Sequence, residues 1–165
     1  MNKLATMIPL LIGDKEVGRT ALNKLVFFAD VAHFLQHGKP ISDTPHMKLT
    51  HGPVPQGITE VRFDLIRKGL LRETEREDRF FRQFSYSVPE GVDLAGMREG
   101  LEPSERQAID IVRERLAGRT ANYLSSHSHR FEPWNSSKPG FEMDLTRTRE
   151  DKALRRWLTD EGILQ

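Results

Sequence analysis

The segment from Ala21 to His37 constrains the architecture more than any other. Leu22, Leu25, Val26, Ala29, Ala32, His33 and Leu35 fall at the spacing of one buried helical stripe. Phe27, Phe28, Val31 and Phe34 add apolar side chains around the other side. A helix that is apolar over most of its circumference has to be enclosed from several directions, so it is expected to lie at the centre of the molecule. Thr20 is placed to cap its start, and Gly38 with Pro40 to stop it. A chain of 165 residues can wrap such a helix in a single compact domain spanning 1–165.

The remaining elements are expected as follows. Residues 2–12 suggest a first helix, kinked or delayed by Pro9, which lacks a backbone donor. Residues 39–56 hold Pro40, Pro45, Pro53 and Pro55 with Gly52, which predicts a long loop interrupted by a short strand at Met47 to Thr50. A helix is expected over Gly57 to Lys68, and two strands over Leu70 to Glu75 and Phe80 to Val88, joined by a turn at Arg76 to Arg79. Residues 89–103 read as loop. Ser104 with Gln107 has the spacing of a capping box for the next helix, Thr120 of a cap for a short helix through Leu124, and a final helix is expected from Thr148 to Leu158. The fold class is thus mainly α with a small β-hairpin or sheet (α+β), a helical core with a winged-helix-like segment.

Composition removes several function classes. There is no cysteine, hence no disulfide framework, thiol nucleophile or thiolate metal site, which suits a reducing, cytoplasmic setting. The apolar run Leu4 to Ile12 is too short and too interrupted for a membrane span, and no small-residue cleavage site follows it. His33 with His37, and His127 with His129, are histidine pairs without the carboxylate of a metalloprotease helix, and His33 reads as a hydrogen-bonded core side chain. Neither a nucleophile elbow nor a glycine-rich phosphate loop is present. An enzyme is therefore not expected, nor a cofactor or metal.

Two helices, a third ending in Arg67-Lys68-Gly69-Leu70-Leu71, and a hairpin resemble a winged helix-turn-helix, in which the third helix enters the major groove. Arg62, Arg67, Lys68, Arg72 and Arg79 would then contact operator DNA. Against this, Asp64, Glu73, Glu75, Glu77 and Asp78 are interleaved among them. With 25 basic and 24 acidic residues, the net charge of +1 gives the chain no general attraction to a polyanion.

The strongest pointer to function is an ordered set of motifs. Leu22-Asn23-Lys24-Leu25-Val26-Phe27-Phe28-Ala29-Asp30 is followed by Gly38-Lys39-Pro40-Ile41, then by His51-Gly52-Pro53-Val54-Pro55, and finally by His127 with Pro133-Trp134. In this order the pieces resemble the Panacea, or SocA-like antitoxin, domain over residues 20–135. That family has a Lys-Leu-Leu-Tyr-Phe-Ala type helix, a Gly-x-Pro turn, a Tyr-Gly-Pro-Val element and a Thr-His stretch before Pro-Trp. Here His51 replaces the tyrosine and Ser126 the threonine. The resemblance implies a mostly helical domain that neutralises a protein toxin by direct contact, and some relatives act as adaptors that deliver the toxin to a protease or its unfoldase. Lys24, Asp30, His51, Gly52, Pro53, Val54, Pro55, His127 and Trp134 are the expected partner-binding residues. Lys24 and Asp30 stand where they can pair with or cap neighbouring loops. The prolines stiffen the Gly52 to Pro55 element, which lowers the entropy lost on docking. Trp134 suits either an interface anchor or a plug in the core.

Overall fold

The computed structural model describes residues 2–165. It is mainly helical with two small antiparallel sheets, and the helix expected at the centre is there. That helix, α2 (Arg19–His37), follows α1 (Lys3–Ile12) and a two-residue strand β1 (Val17–Gly18). Every residue from Ala21 to Phe34 is buried. It packs against α1 and, further along the chain, against α5 (Pro103–Leu116) and α6 (Ala121–Ser128). Gly38 ends α2 in the left-handed conformation at φ 77°, its N–H bonded to Phe34 O, as a residue without a Cβ can do at little cost.

The cap at the start of α2 is Gly18, not Thr20. Val17 and Gly18 pair with Tyr86 and Ser85, and this pairing fixes where the chain leaves the sheet and enters the helix. Pro9 does not break α1, which runs continuously to Ile12 and is buried from Leu4 onward.

The proline-rich stretch carries more structure than expected. His46–Leu49 (β2) and Gly52–Pro55 (β3) form a two-stranded hairpin, with Leu49 opposite Gly52 and His46 opposite Pro55. Two prolines are tolerated because β3 has no second neighbour to which their missing N–H groups would donate. Then come α3 (Ile58–Arg67) and the strands β4 (Arg72–Glu77) and β5 (Arg82–Ser87). With β1 they make a three-stranded sheet in the order β1-β5-β4, so the wing-like hairpin gains an edge strand.

The segment taken as loop over 89–103 contains a short helix, α4 (Leu94–Arg98), capped by Asp93, whose Oδ1 accepts from Gly96 N at 2.9 Å. Helix α5 begins at Pro103, one residue before Ser104. The Ser104 hydroxyl is engaged with His33 Nε2 at 3.0 Å, and Glu105 instead accepts from Glu102 N at 2.9 Å. Burial opposes ionisation of Glu105, but hydrogen bonds from Lys3 and Glu102 outweigh it and hold the carboxyl below its ordinary range. Thr120 caps α6 as expected, yet α6 continues to Ser128. After it come α7 (Glu132–Asn135), a 3-10 turn over Leu145–Glu150, and α8 (Lys152–Asp160), which starts at an Asp151 cap rather than at Thr148. No helix among the described residues is long and apolar enough to cross a membrane.

Candidate functional site

The β2–β3 hairpin rests on α2, and the contacts beneath it bring the motif residues together. At the far end from its turn, the hairpin is fastened by Asp30. That carboxylate is fully buried and accepts from Ile41 N and Ser42 N at 2.8 Å each, from Ser42 Oγ at 2.5 Å and from His46 Nε2 at 2.7 Å. Asp30 therefore caps the neighbouring loop, as its position allowed, and the expectation that it touches a partner is corrected: none of its surface is available.

Towards the turn lies Lys24, 1% exposed. Both residues reach the hairpin from α2, Asp30 through His46 and Lys24 beneath Gly52. Its ammonium finds no carboxylate and no hydrogen-bond acceptor among the described residues, and burial alone drives its pKa down from 10.5 to about 8. Gly52 lies directly over its end, at φ 127°. A Cβ at Gly52 would overlap Lys24 Cε, and would stand 2.5 Å from Nζ and 3.4 Å from His129 Nε2. The turn needs glycine both for its backbone angle and for this close approach.

The other wall comes from α6 and α7. Trp134 stacks on His129, with ring centroids 4.0 Å apart and planes 13° apart. Lys48 lies over the same indole at 4.6 Å and donates to Trp134 O at 2.8 Å and Ser137 O at 3.2 Å. Trp134 is half-buried, so it serves mainly as a wall of this site. His129 Nε2 is buried without a hydrogen-bond partner. Burial first, then the charges of Lys24 and Lys48, push the His129 pKa below the ordinary 6.5, with the His51 carbonyl acting the other way.

His129, not His127, is the histidine that meets Trp134. Two residues apart on a helix, they point to nearly opposite sides. His127 turns inward and stacks on Trp157 at 4.7 Å, beside Tyr123 at 4.4 Å. Of the Gly-Pro-Val-Pro element, Pro53 and Pro55 are buried, Val54 is half-buried, and His51 at the turn is exposed. A partner can therefore reach His51 and Val54 directly, while the two prolines shape the hairpin from below. His46 was not singled out in the sequence. It lies one residue before the strand expected at Met47 to Thr50, and nothing in the pattern marks it as buried.

The basic residues of the winged-helix reading divide. Arg62 is 6% exposed and donates to Tyr86 Oη at 2.6 Å, and Tyr86 in turn donates to Glu73 at 2.7 Å. As a DNA contact Arg62 is therefore corrected, since its guanidinium is enclosed in a polar network. Burial and the Glu73 hydrogen bond raise the Tyr86 pKa. Arg67 and Lys68 are exposed, but both pair with Asp64, the latter at 2.7 Å. Arg72 and Arg79 are exposed and make no ion pair among the described residues. His33 is a core residue, bonded through Nδ1 to Lys39 O at 2.7 Å. Among the described residues no three His, Asp or Glu side chains gather to hold a metal ion.

A helical domain with two small sheets, one of them a proline-stiffened hairpin seated on the central helix over a buried lysine, is the class this geometry defines. The family model for the SocA-like antitoxin, Panacea domain, matches residues 22–135, more than half of the chain. The chain belongs to that family. No curated protein and no solved structure matches it.

Proposed function

We propose that this chain is the antitoxin of a toxin–antitoxin pair and silences its cognate protein toxin by direct contact, without catalysing a reaction. The match to the SocA-like antitoxin family over residues 22–135 carries this reading, because the matched stretch contains the whole hairpin site. The surface beside that site supports it. Leu49 (44% exposed) stands opposite Gly52 in the hairpin, and Phe141 (63% exposed) belongs to the segment that pairs with Lys48. Exposed apolar side chains rimmed by the polar residues His51 and Lys48 suit a protein partner better than solvent. Delivery of the bound toxin to a protease or its unfoldase would use the same contact and add a second partner. Operator binding draws no comparable support, since Asp64 offsets Arg67 and Lys68 on α3.

Growth rescue tests the proposal. Each gene flanking this one is induced alone in a bacterial host, and then together with this protein. A neighbour that arrests growth alone and is harmless in the pair, and that co-purifies with this chain, is the expected result. Absence of any toxic neighbour, or toxicity that persists while this protein is soluble and abundant, overturns it.

A further inference from the structure

A cavity of about 250 Å³ lies between residues 40–46, which follow α2, and residues 142–146, which precede α8. Met143 N stitches the two stretches together by donating to His46 O at 2.7 Å. The walls are sorted by depth. Phe34, His46 and Met143 are buried and form the floor, while Asp43, Glu142 and Asp144 are exposed and form the rim. No lysine or arginine lines the cavity. Asp144 is partly committed, accepting from Thr146 N at 2.9 Å and facing Arg147 at 3.9 Å. Asp43 and Glu142 make no ion pair among the described residues. An acidic rim alone is an ordinary surface feature, and His46 is what sets this one apart. Its side chain is 1% exposed, and its Nδ1 has no hydrogen-bond partner among the described residues. Nε2 points at Asp30, which is no part of the cavity wall, so the opposite edge of the ring, with Nδ1, faces the cavity. The Nε2 proton is given to a carboxylate that takes three further hydrogen bonds, which leaves Nδ1 as the lone-pair nitrogen, a buried acceptor without a donor.

We propose that this cavity binds a guanidinium group, which donates to His46 Nδ1 at the floor and to the Asp43 and Glu142 carboxylates at the rim. The rim selects a cation, and the empty acceptor selects one with N–H donors. The acids and His46 do not gather closely enough to hold a metal ion, so the cation that fits carries its donors on an extended frame. A guanidinium has five donors in one plane, and its weakly hydrated faces lie well against apolar walls such as Phe34, Pro40 and Leu145. Phe34 already shows this affinity, since Arg149, outside the cavity wall, lays its guanidinium over that ring at 4.8 Å. The site stands apart from the antitoxin reading, which bears only on whether the guanidinium is an arginine of the partner or belongs to a free molecule.

The probe is methylguanidinium chloride, well below denaturing concentrations, added to the full ¹⁵N-labelled chain. Sodium chloride at equal ionic strength and tetramethylammonium chloride, a cation without N–H donors, are the comparisons. Saturable shifts of the Glu142 and Met143 amides are expected with methylguanidinium, and the His46 Nδ1 resonance should move upfield as it gains a donor. Sodium and tetramethylammonium should do neither. Asp43→Asn and Glu142→Gln should each weaken binding roughly tenfold. Both residues are exposed, so these variants keep the fold, whereas His46 also fastens the hairpin and is therefore read by its resonance rather than by substitution. A response matched by tetramethylammonium or sodium, an unmoved His46 Nδ1 at saturation, or an unchanged response in the Asp43→Asn, Glu142→Gln double variant overturns the site. Growth rescue with that double variant then assigns the source. Loss of rescue places the guanidinium on an arginine of the toxin, and retained rescue makes it a free small molecule. If no neighbouring gene is toxic, the antitoxin reading falls and the methylguanidinium titration still decides the site.

Discussion

Asp30 accepts a 2.7 Å hydrogen bond from His46 Nε2 with both side chains fully buried, and this pair, on α2 and β2, ties the proline-rich hairpin to the central helix. The same carboxylate also holds the backbone of Ile41 and Ser42. Removing it leaves two buried N–H groups and a buried imidazole without their acceptor. Asp30→Ala is expected to cost about 3–5 kcal/mol, the range for breaking one side of a buried polar pair. Urea denaturation measures the loss. Amide hydrogen exchange should accelerate first at Ile41, Ser42 and along β2, ahead of α2 itself.

Lys24 works in the opposite direction. Its pKa falls from 10.5 in the open chain to about 8 in the fold. Above pH 10.5 it is neutral in both states and costs nothing. Between about 10.5 and about 8 the unfolded chain binds a proton that the folded chain does not, so stability falls as pH drops through this window. Below about 8 the penalty is complete, on the order of 3 kcal/mol from the size of the shift. Lys24→Met, which keeps the length of the side chain, is expected to raise the urea midpoint at pH 7 and to flatten its rise between pH 8 and 10. A variant that is more stable and yet inactive would mark Lys24 as a residue kept for function.

The basic residues of α3 separate by burial. Arg62, buried and bonded to Tyr86 and Thr59, should cost about 3 kcal/mol or more when changed to alanine, because the buried Tyr86 Oη loses its donor. Arg67→Ala and Lys68→Ala lie on the solvent side and should change stability by no more than about 0.5 kcal/mol. Thermal unfolding of the three single variants checks this order. A gel shift in which Arg67→Ala and Lys68→Ala abolish salt-sensitive binding to the native promoter would instead restore the DNA reading.

The central helix was legible because ten apolar side chains from Leu22 to Leu35, counted from the sequence, leave no polar face wide enough for solvent. Its buried lysine was legible as part of a motif but not as an unpaired charge, since the missing partner is a fact of three dimensions. The β2–β3 hairpin was underread because Pro53 and Pro55 argue against a strand, and only the single-neighbour position of β3 removes that objection. Ser104 illustrates a different limit. Its spacing to Gln107 fits a capping box, but His33, far away in sequence, claims the hydroxyl. The sequence pointed to His127 as the motif histidine, because with the helix expected to end at Leu124 nothing fixed which way His127 and His129 face. Only the extension of α6 to Ser128 sends one into the core and the other to Trp134.

The Trp134–His129 stack offers an optical report on the site. A protonated imidazole against an indole quenches its fluorescence, and a neutral one does so far less. Burial and the charges on Lys24 and Lys48 hold the His129 pKa below 6.5, so the quench should begin only as pH falls under the ordinary histidine range. The second tryptophan, Trp157, stacks on His127, whose pKa is also lowered by burial, so the titration is made in a Trp157→Phe background. His129→Gln should abolish the transition. Lys24→Met removes one of the charges that repel the proton, and should move the midpoint up towards 6.5 without abolishing it. A midpoint that ignores Lys24 would mean that the charge on Lys24 is screened from the His129 ring and that the two nitrogens do not share one electrostatic space.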